Sequence, residues 1–406
     1  MFDPTDRPGR PGWQFLHTPG PTNIPRRIMS AMAAPQADHR SPEFLAVAER
    51  AYGRLKELLG TTSPVVLMSS PGHGAWEAAL VNPLAPGDRV LMAETGFFSQ
   101  RWKEMAERLG LEVDCLPGDW RTGVDANRVE ESLRADASGR IKAVCVVHNE
   151  TSTGVRSDLP AVRAAMDAAG HPGLLIADVI SSFASSPYYH DAWRVDVCVG
   201  GSQKGLMLPP GLAFNVLSDR ALEAARQSGG CPRFFWDWNE HLGADGSLGF
   251  ISTPAIPLWY GLAAALEMLF EEGPETVFAR HRRLAASVRA AVAAWNLELV
   301  STRPAEHSDT VTAILLPEGA QPNAFRTLCR EQYGVALAAA IGRWATNGFR
   351  IGHLGALSEA MILGTLGATE LALGDAGIPH RSGGTAAALA SLQADRRGET
   401  TLRAVS

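Results

Sequence analysis

Seven short apolar runs, separated by stretches with helical periodicity, constrain the fold of this 406-residue chain more than any other feature. Each run is too short for a buried helix and is bounded by polar or small residues, which is typical of a buried strand. Such an alternation predicts an α/β fold, with a mostly parallel seven-stranded sheet flanked by helices on both faces. The runs lie at residues 65–68, 90–93, 111–115, 143–147, 174–177, 195–199 and 213–217.

The remainder of the chain predicts a smaller second domain and two flanking segments. Residues 19–25 form a proline-rich turn segment with no room for a helix or a central strand. Two long helical patterns, at 257–271 and 276–295, lead away from the sheet, and strand-like runs follow at 310–315 and 349–351. We therefore predict an N-terminal arm at 1–24, a large domain at 25–275, a small α+β domain at 276–373 and a polar tail at 374–406.

Two charged residues follow two of the apolar runs, at the edge where open α/β sheets bind their ligands. Asp178 ends the run at 174–177, and Lys204 lies in the small-residue loop Gly-Gly-Ser-Gln-Lys-Gly after the run at 195–199. Pyridoxal phosphate requires this pair, because a lysine holds it as a Schiff base while a carboxylate keeps its pyridine nitrogen protonated. Taken alone, such an aspartate is more often a helix cap, and such a lysine is more often a solvated loop residue.

A glycine-containing turn follows the first run. Gly72, His73 and Gly74 begin a helical pattern, and the free N–H groups at a helix start bind phosphate. Glu77 stands where a dinucleotide fingerprint requires a third glycine, so the turn does not predict a dinucleotide site. A simple βα turn is the structural alternative.

Three further candidates lie at strand ends. Phe98 could stack on a flat cofactor ring, with core packing as the alternative. Thr151 could contact the cofactor, with helix capping as the alternative. Arg350 suits the bidentate binding of a substrate carboxylate, although a surface ion pair is the usual fate of an arginine.

Composition and charge argue against several other classes of function. The formal net charge of −6 comes without a basic block, so we expect no nucleic-acid partner. The five cysteines have no CxxC spacing, which favours reduced, buried thiols over disulfides or a zinc site. The sequence has no HExxH, Walker or nucleophile-elbow motif. We therefore predict no metal. We also expect no signal peptide and no membrane-spanning apolar run, so we predict a cytoplasmic protein.

In this order the motifs resemble those of the class V, fold-type I aminotransferases, close to the serine–glyoxylate and alanine–glyoxylate group. The resemblance implies a homodimeric enzyme that uses pyridoxal 5′-phosphate. It would transfer an amino group from a small amino acid, serine first and then alanine or aspartate, to glyoxylate or a similar 2-oxo acid. The passages that carry it are His-Asn-Glu-Thr-Ser-Thr-Gly at 148–154, Ala-Asp-Val-Ile-Ser-Ser at 177–182, Gly-Ser-Gln-Lys-Gly-Leu-Met-Leu-Pro-Pro-Gly at 201–211 and Gly-Phe-Arg-Ile-Gly-His-Leu-Gly at 348–355.

The resemblance also implies a role for each candidate residue. Lys204 is expected to bind the cofactor and then to act as the general base that moves a proton between the substrate carbon and the cofactor. Asp178 pairs with the pyridine nitrogen. Arg350 binds the substrate carboxylate, helped by the backbone at Gly20 and Pro21. The remaining implied contacts are Phe98 on the ring, Thr151 near the ring hydroxyl and, at the phosphate, Gln203, Gly72, His73, Gly74 and the partner subunit's Thr253.

Two departures from the family pattern concern the phosphate. Pro71 stands where relatives have a serine, and Phe250 stands where relatives often have a tyrosine. Two phosphate donors are therefore missing, each worth about 1.5–3 kcal/mol as a hydrogen bond to a charged group. A related enzyme type that transfers the amino group of unphosphorylated pyridoxamine to pyruvate also lacks such contacts. That activity, a β-elimination or desulfuration on the same scaffold, and a catalytically silent binding or regulatory subunit are the alternatives.

Overall fold

The computed structural model describes residues 14–397, so parts of the predicted N-terminal arm and C-terminal tail lie outside the described residues. Within this range no helix combines the length and apolar character needed to cross a membrane. The strands are β1 (Phe15–His17), β2 (Val65–Met68), β3 (Arg89–Ala93), β4 (Glu112–Leu116), β5 (Ile141–Val147), β6 (Asn149–Glu150), β7 (Val155–Arg156), β8 (Leu174–Asp178), β9 (Val197–Gly201), β10 (Ala213–Leu217), β11 (Glu298–Leu299), β12 (Val311–Leu315), β13 (Val335–Ala339) and β14 (Gly348–Gly352). The α-helices are α1 (Arg26–Met32), α2 (Pro42–Leu59), α3 (Gly72–Val81), α4 (Phe97–Arg108), α5 (Ala126–Ala135), α6 (Leu159–Ala168), α7 (Asp219–Gln227), α8 (Trp238–His241), α9 (Ile256–Glu272), α10 (Pro274–Ala294), α11 (Pro322–Gln332), α12 (Glu359–Asp375) and α13 (Gly384–Arg396).

The predicted seven-stranded sheet is confirmed, with the strand order β2-β10-β9-β8-β5-β3-β4. Strand β10 runs antiparallel to both of its neighbours, and the other neighbouring pairs are parallel. Each observed strand lies within two residues of the apolar run that predicted it. The carboxyl ends of β5, β8 and β9 therefore meet at one edge of the sheet, which is where open α/β sheets bind ligands.

Both faces of this sheet are buried, which explains why its strands are continuous apolar runs. In β2, Val65 and Leu67 pack into one apolar cluster, whereas Val66 and Met68 pack into another. This division follows from the strand geometry, because successive side chains point to opposite faces. Helices α2, α5, α6 and α9 cover one face, and α3, α4 and α7 contribute to the cluster on the other.

A second, five-stranded sheet has the order β1-β13-β14-β12-β11. Its first pair, β1 with β13, is parallel, and the remaining pairs are antiparallel. The sequence indicated β12 and β14, but not the pairing of β1 from the start of the described chain. Helix α13 packs here too, because Ala388 and Leu392 are buried in the same cluster as Leu284 and Val288 of α10.

Candidate active site

A cavity of about 250 Å³ lies at the carboxyl edge of the seven-stranded sheet. The structure brings nine of the predicted site residues together in its wall, whereas three others, Gly74, Thr253 and Arg350, do not line it. The nine are Gly20, Pro21, Gly72, His73, Phe98, Thr151, Asp178, Gln203 and Lys204.

Asp178 ends β8 and is only 6% exposed. Its Oδ1 accepts a hydrogen bond from the backbone N–H of Ile180 at 2.7 Å, and its Oδ2 accepts one from Nε1–H of Trp76 at 3.0 Å. Burial raises the pKa of Asp178 to about 7, against these two hydrogen bonds, which lower it. Since the contacts come from neutral donors, a cation in the cavity would stabilise the carboxylate further.

Lys204 follows β9 and lies beneath the N-terminal segment. Its ammonium group donates a hydrogen bond to the carbonyl of Pro19, and Thr22 Oγ1 donates to the Lys204 carbonyl at 3.3 Å. Gly20 has a φ of +114°, and a side chain there would overlap the Lys204 amino group. Burial, with the positive charge of Arg350, lowers the pKa of Lys204 to about 8. A lysine with this pKa is neutral far more often near pH 7 than an ordinary lysine, and the neutral amine is the form that a nucleophile or base requires.

Arg350 lies in β14 and is 8% exposed. Its Nε–H donates to the carbonyl of Ala339 and its Nη1–H donates to the carbonyl of Thr151, both at 2.7 Å. Burial lowers the pKa of Arg350 to about 10. Among residues 14–397 it forms no ion pair within 4.0 Å, so the alternative of a surface ion pair is wrong. The guanidinium lies behind Thr151 rather than in the cavity wall.

The start of α3 forms another part of the wall. Its N-cap residue is Pro71, which makes no side-chain capping hydrogen bond. The first N–H groups of a helix have no partner within the helix, so those of Gly72 and His73 are free to bind an anion. A side chain at Gly72 would meet the end of the Ile180 side chain, so the glycine lets Ile180 pack closely against the start of α3. The exposed His73 ring lies 4.6 Å, centroid to centroid, from that of Trp76.

Two predicted cofactor contacts lie away from the cavity wall. A side chain at Gly74 would overlap the Trp236 ring, so this glycine serves the packing of α3. Thr253 is exposed in the loop before α9. Its expected role belongs to the second subunit of a dimer and stays a prediction.

Glu150 is a buried carboxylate to which sequence reasoning assigned no role, although it lies in the His-Asn-Glu-Thr passage. Its Oε2 accepts hydrogen bonds from the backbone N–H groups of Phe98 and Ser99, at 3.0 and 3.1 Å. Its Oε1 accepts from the N–H and hydroxyl of Ser152, at 3.0 and 2.7 Å. Glu150 therefore occupies the N-terminus of α4 and holds Phe98 beside the loop that carries Thr151.

Two unpaired polar atoms also lie in residues that line the cavity. Nδ2 of Asn149 donates to the hydroxyls of Ser181 and Thr310, at 2.8 and 2.9 Å, but its Oδ1 has no partner. The buried Oε1 of Gln203 has none either. Buried polar atoms are nearly always hydrogen-bonded, so these two oxygens are available for a polar ligand.

The described part of the chain offers little support for a metal site or for a reactive cysteine. Between residues 14 and 397 no group of three or more histidine, cysteine or acidic side chains is placed to hold a metal ion. The five cysteines are free thiols, as predicted, and three of them are buried. None of the five lines the cavity, which disfavours the desulfuration alternative.

Residues 14–348 match the family described as Aminotransferase class-V. The chain is 45% identical to the serine–glyoxylate aminotransferase of Methylorubrum extorquens, over 94% of this chain and 96% of that protein. It is also 45% identical to the L-aspartate–glyoxylate aminotransferase of Paracoccus denitrificans, over 92% of this chain and 94% of that protein. The solved structure of pyridoxamine–pyruvate aminotransferase from Mesorhizobium loti superposes with a TM-score of 0.89, at 27% identity, over 96% of this chain and 99% of that one.

The α/β architecture is that of the fold-type I aminotransferases. The chain belongs to the class-V aminotransferase family, whose members in general depend on pyridoxal phosphate. It is therefore an enzyme, and the alternative of a catalytically silent subunit is not supported.

Proposed function

We propose that this enzyme binds pyridoxal 5′-phosphate and transfers an amino group from a small amino acid, serine first, to glyoxylate or a similar 2-oxo acid. The observation that carries the proposal is the convergence of Lys204 and Asp178 on one cavity, with Arg350 buried behind its wall. The two relatives described above support glyoxylate as the acceptor, because both are named for it.

The residues present fit this cofactor. Asp178 offers a buried carboxylate that lacks a cation, and the start of α3 offers free N–H groups for a phosphate. The unpaired oxygens of Asn149 and Gln203 offer further polar contacts. When bound, pyridoxal phosphate supplies an electron-withdrawing ring that stabilises negative charge at the substrate carbon.

Each charged residue would then have its own role. Lys204 would hold the cofactor and, as a neutral amine, would take the proton from the substrate carbon and deliver it to the cofactor. Asp178 keeps the ring nitrogen protonated, because a buried carboxylate strongly favours a cation beside it. Arg350 uses two of its five N–H donors on backbone carbonyls, and the others are available for the substrate carboxylate. Gly20 and Pro21 close the cavity over Lys204.

The cavity wall favours serine over aspartate as the donor. Besides Asp178 and Lys204, its polar side chains include the neutral groups of Asn149, Thr151 and Ser181. Apart from Lys204 and His73, no described lining residue is a cation or can become one, so the wall of this chain provides no arginine for the side-chain carboxylate of aspartate. A hydroxyl group, in contrast, finds hydrogen-bonding partners there.

We further propose that the enzyme is a homodimer in which the partner subunit's Thr253 contacts the phosphate. The exposure of this threonine in the single chain supports a role across an interface. The free cysteines support work in the reducing cytoplasm. Light scattering tests the dimer, and we expect twice the mass of the 43.3 kDa chain.

Amino transfer from pyridoxamine to pyruvate is a second candidate. It is favoured by Pro71, which lacks a hydroxyl, and by Phe250, whose ring packs 6.0 Å from Phe44 and 5.4 Å from Trp259. The similarity to a solved pyridoxamine–pyruvate aminotransferase points the same way. The higher identity to two glyoxylate aminotransferases, 45% against 27%, places this activity second.

An absorbance spectrum of the purified protein distinguishes the two functions. After addition of pyridoxal phosphate we expect a band near the visible edge that collapses with serine and returns with glyoxylate. Alanine and aspartate, added separately, rank the donors. A protein that forms no band with the phosphorylated cofactor but converts free pyridoxamine and pyruvate would contradict the proposal and support the second candidate.

A further inference from the structure

Trp76 is a buried residue of the cavity wall to which the proposed mechanism gives no task. It lies in α3, is 1% exposed, and donates its Nε1–H to Oδ2 of Asp178 at 3.0 Å. We propose that Trp76 is a positioning residue, which holds the Asp178 carboxylate in the orientation and the ionised form that bind the ring nitrogen of the cofactor. This role rests on the proposed function, because Asp178 pairs with that nitrogen only if pyridoxal phosphate is bound.

The direction of the hydrogen bond gives Trp76 this role. An indole N–H can donate but cannot accept, and the same is true of the Ile180 backbone N–H on the other carboxylate oxygen. Asp178 therefore receives one donor on each oxygen. Hydrogen bonds donated to a carboxylate favour its charged form, so both contacts oppose the effect of burial on this group.

The packing of Trp76 fixes the position of its N–H. Its ring stacks on that of Trp102, with centroids 5.6 Å apart and planes 14° from parallel. The Phe98 ring meets it edge-on, with centroids 6.3 Å apart. A donor fixed in this way holds the carboxylate plane without having to reorganise when the cofactor binds.

Trp102 provides a matched control. It is the same residue type, is also 1% exposed and belongs to the same stacked pair, but its Nε1 has no hydrogen-bond partner. Trp76→Phe and Trp102→Phe therefore remove similar apolar area next to each other. Only Trp76→Phe removes a hydrogen bond to Asp178.

The test is spectroscopic titration of the cofactor-free proteins with two ligands, pyridoxal phosphate and its carbocyclic analogue with C–H in place of the ring nitrogen. We expect Trp76→Phe to weaken pyridoxal phosphate binding more than Trp102→Phe does, by a factor of about ten to a hundred. This factor is the loss of affinity that corresponds to one hydrogen bond to a charged group. Affinity for the analogue should fall equally in the two variants. In an Asp178→Asn background the difference between the variants should disappear.

Equal losses for both ligands in Trp76→Phe would show that Trp76 only packs the wall, and would overturn the inference. If Trp76→Phe does not fold, a benzothiophene analogue of tryptophan at position 76, and at 102 as the control, keeps the ring shape and replaces N–H by sulfur. The same expected difference then applies. Wild-type protein that binds neither ligand would instead contradict the proposed function, and this role with it, before any variant is compared.

Discussion

The two buried charges at the ends of the site, Asp178 and Arg350, are held in similar ways but by different parts of the molecule. Asp178 is 6% exposed and accepts N–H groups from Ile180 and Trp76, whereas Arg350 is 8% exposed and donates to the carbonyls of Ala339 and Thr151. Neither forms an ion pair within 4.0 Å among the described residues, so each can pair with a charged group of a ligand.

The difference lies in how the two positions are built. Asp178 and its donors belong to the seven-stranded sheet and to α3, which packs on it. Arg350 belongs to the five-stranded sheet, and its hydrogen bond to the carbonyl of Thr151 reaches the turn that follows β6. We therefore expect changes near Asp178 to affect the cofactor, and changes near Arg350 to affect the substrate.

The largest expected effect is at Lys204, whose pKa both Arg350 and Asp178 influence. Lys204→Ala removes the group that we propose to hold the cofactor and move the proton, so we expect transamination to fall by at least about 10³-fold. Steady-state assays with serine and glyoxylate measure the loss. Lys142→Ala, at an exposed lysine, is the control and should keep full activity. Full activity in Lys204→Ala would contradict the proposed function.

Replacing Asp178 tests the part of the site that we propose to bind the cofactor. Asp178→Asn keeps the shape and removes the charge, so the ring nitrogen loses its counter-charge. We expect kcat/KM to fall at least about a hundredfold, as when one electrostatic contact to the transition state is removed. Enzyme assays and the spectrum of the bound cofactor measure this. An unchanged rate would show that Asp178 is only structural.

Asp178→Asn should lower activity, but in the cofactor-free protein it should reduce the loss of stability as the pH rises. Burial raises the pKa of Asp178 from 3.8 to about 7, so over this range the folded protein keeps a proton that the unfolded chain has lost. Wild-type stability should therefore decline as the pH rises through this window. The Asp178→Asn variant lacks this contribution. Its stability, measured by thermal unfolding, should therefore decline less between pH 4 and pH 7. An identical decline would contradict the raised pKa.

Replacing Arg350 tests the substrate end. Arg350→Lys keeps a charge but loses the planar fork, so we expect KM for amino donor and oxo acid to rise about tenfold to a hundredfold. The change in kcat should be smaller, and pyridoxal phosphate affinity should stay the same. Arg343→Lys, at a more exposed arginine paired with Glu94, is the control. Weaker cofactor binding in Arg350→Lys would contradict the proposal that Arg350 acts on the substrate and not on the cofactor.

The smallest expected effect concerns the electrostatic influence of Arg350, in the five-stranded sheet, on Lys204 at the edge of the seven-stranded sheet. Burial, with the charge of Arg350, lowers the pKa of Lys204 to about 8, and only the neutral amine captures pyridoxal phosphate. In wild type the capture rate should rise with pH and level off above about pH 8. Arg350→Gln removes a positive charge, so the midpoint should move to higher pH. Stopped-flow absorbance measures it, and a midpoint that does not move would show that the regions are uncoupled.

Local sequence was sufficient for much of the site, because each strand of the large sheet brings its own end to the common edge. Asp178 and Lys204 could be placed at that edge from the apolar runs before them, and nine of the twelve candidate residues line the cavity. Trp76 and Glu150 were missed for a common reason. Their partners, Asp178 and Phe98, are 102 and 52 residues away in the chain, and no local pattern reports such a contact.

The sequence by itself determined the alternating α/β architecture and the family, because short buried strands and strand-end motifs are local properties. Only the tertiary structure decided the pairing of β1 with β13, the enclosure of Lys204 by residues 19–20, and the hydrogen bond from Arg350 to Thr151. These contacts join segments that are far apart in the chain. The burial that shifts the pKa values of Asp178 and Lys204 arises in the same way, since desolvation depends on every element that packs around a group.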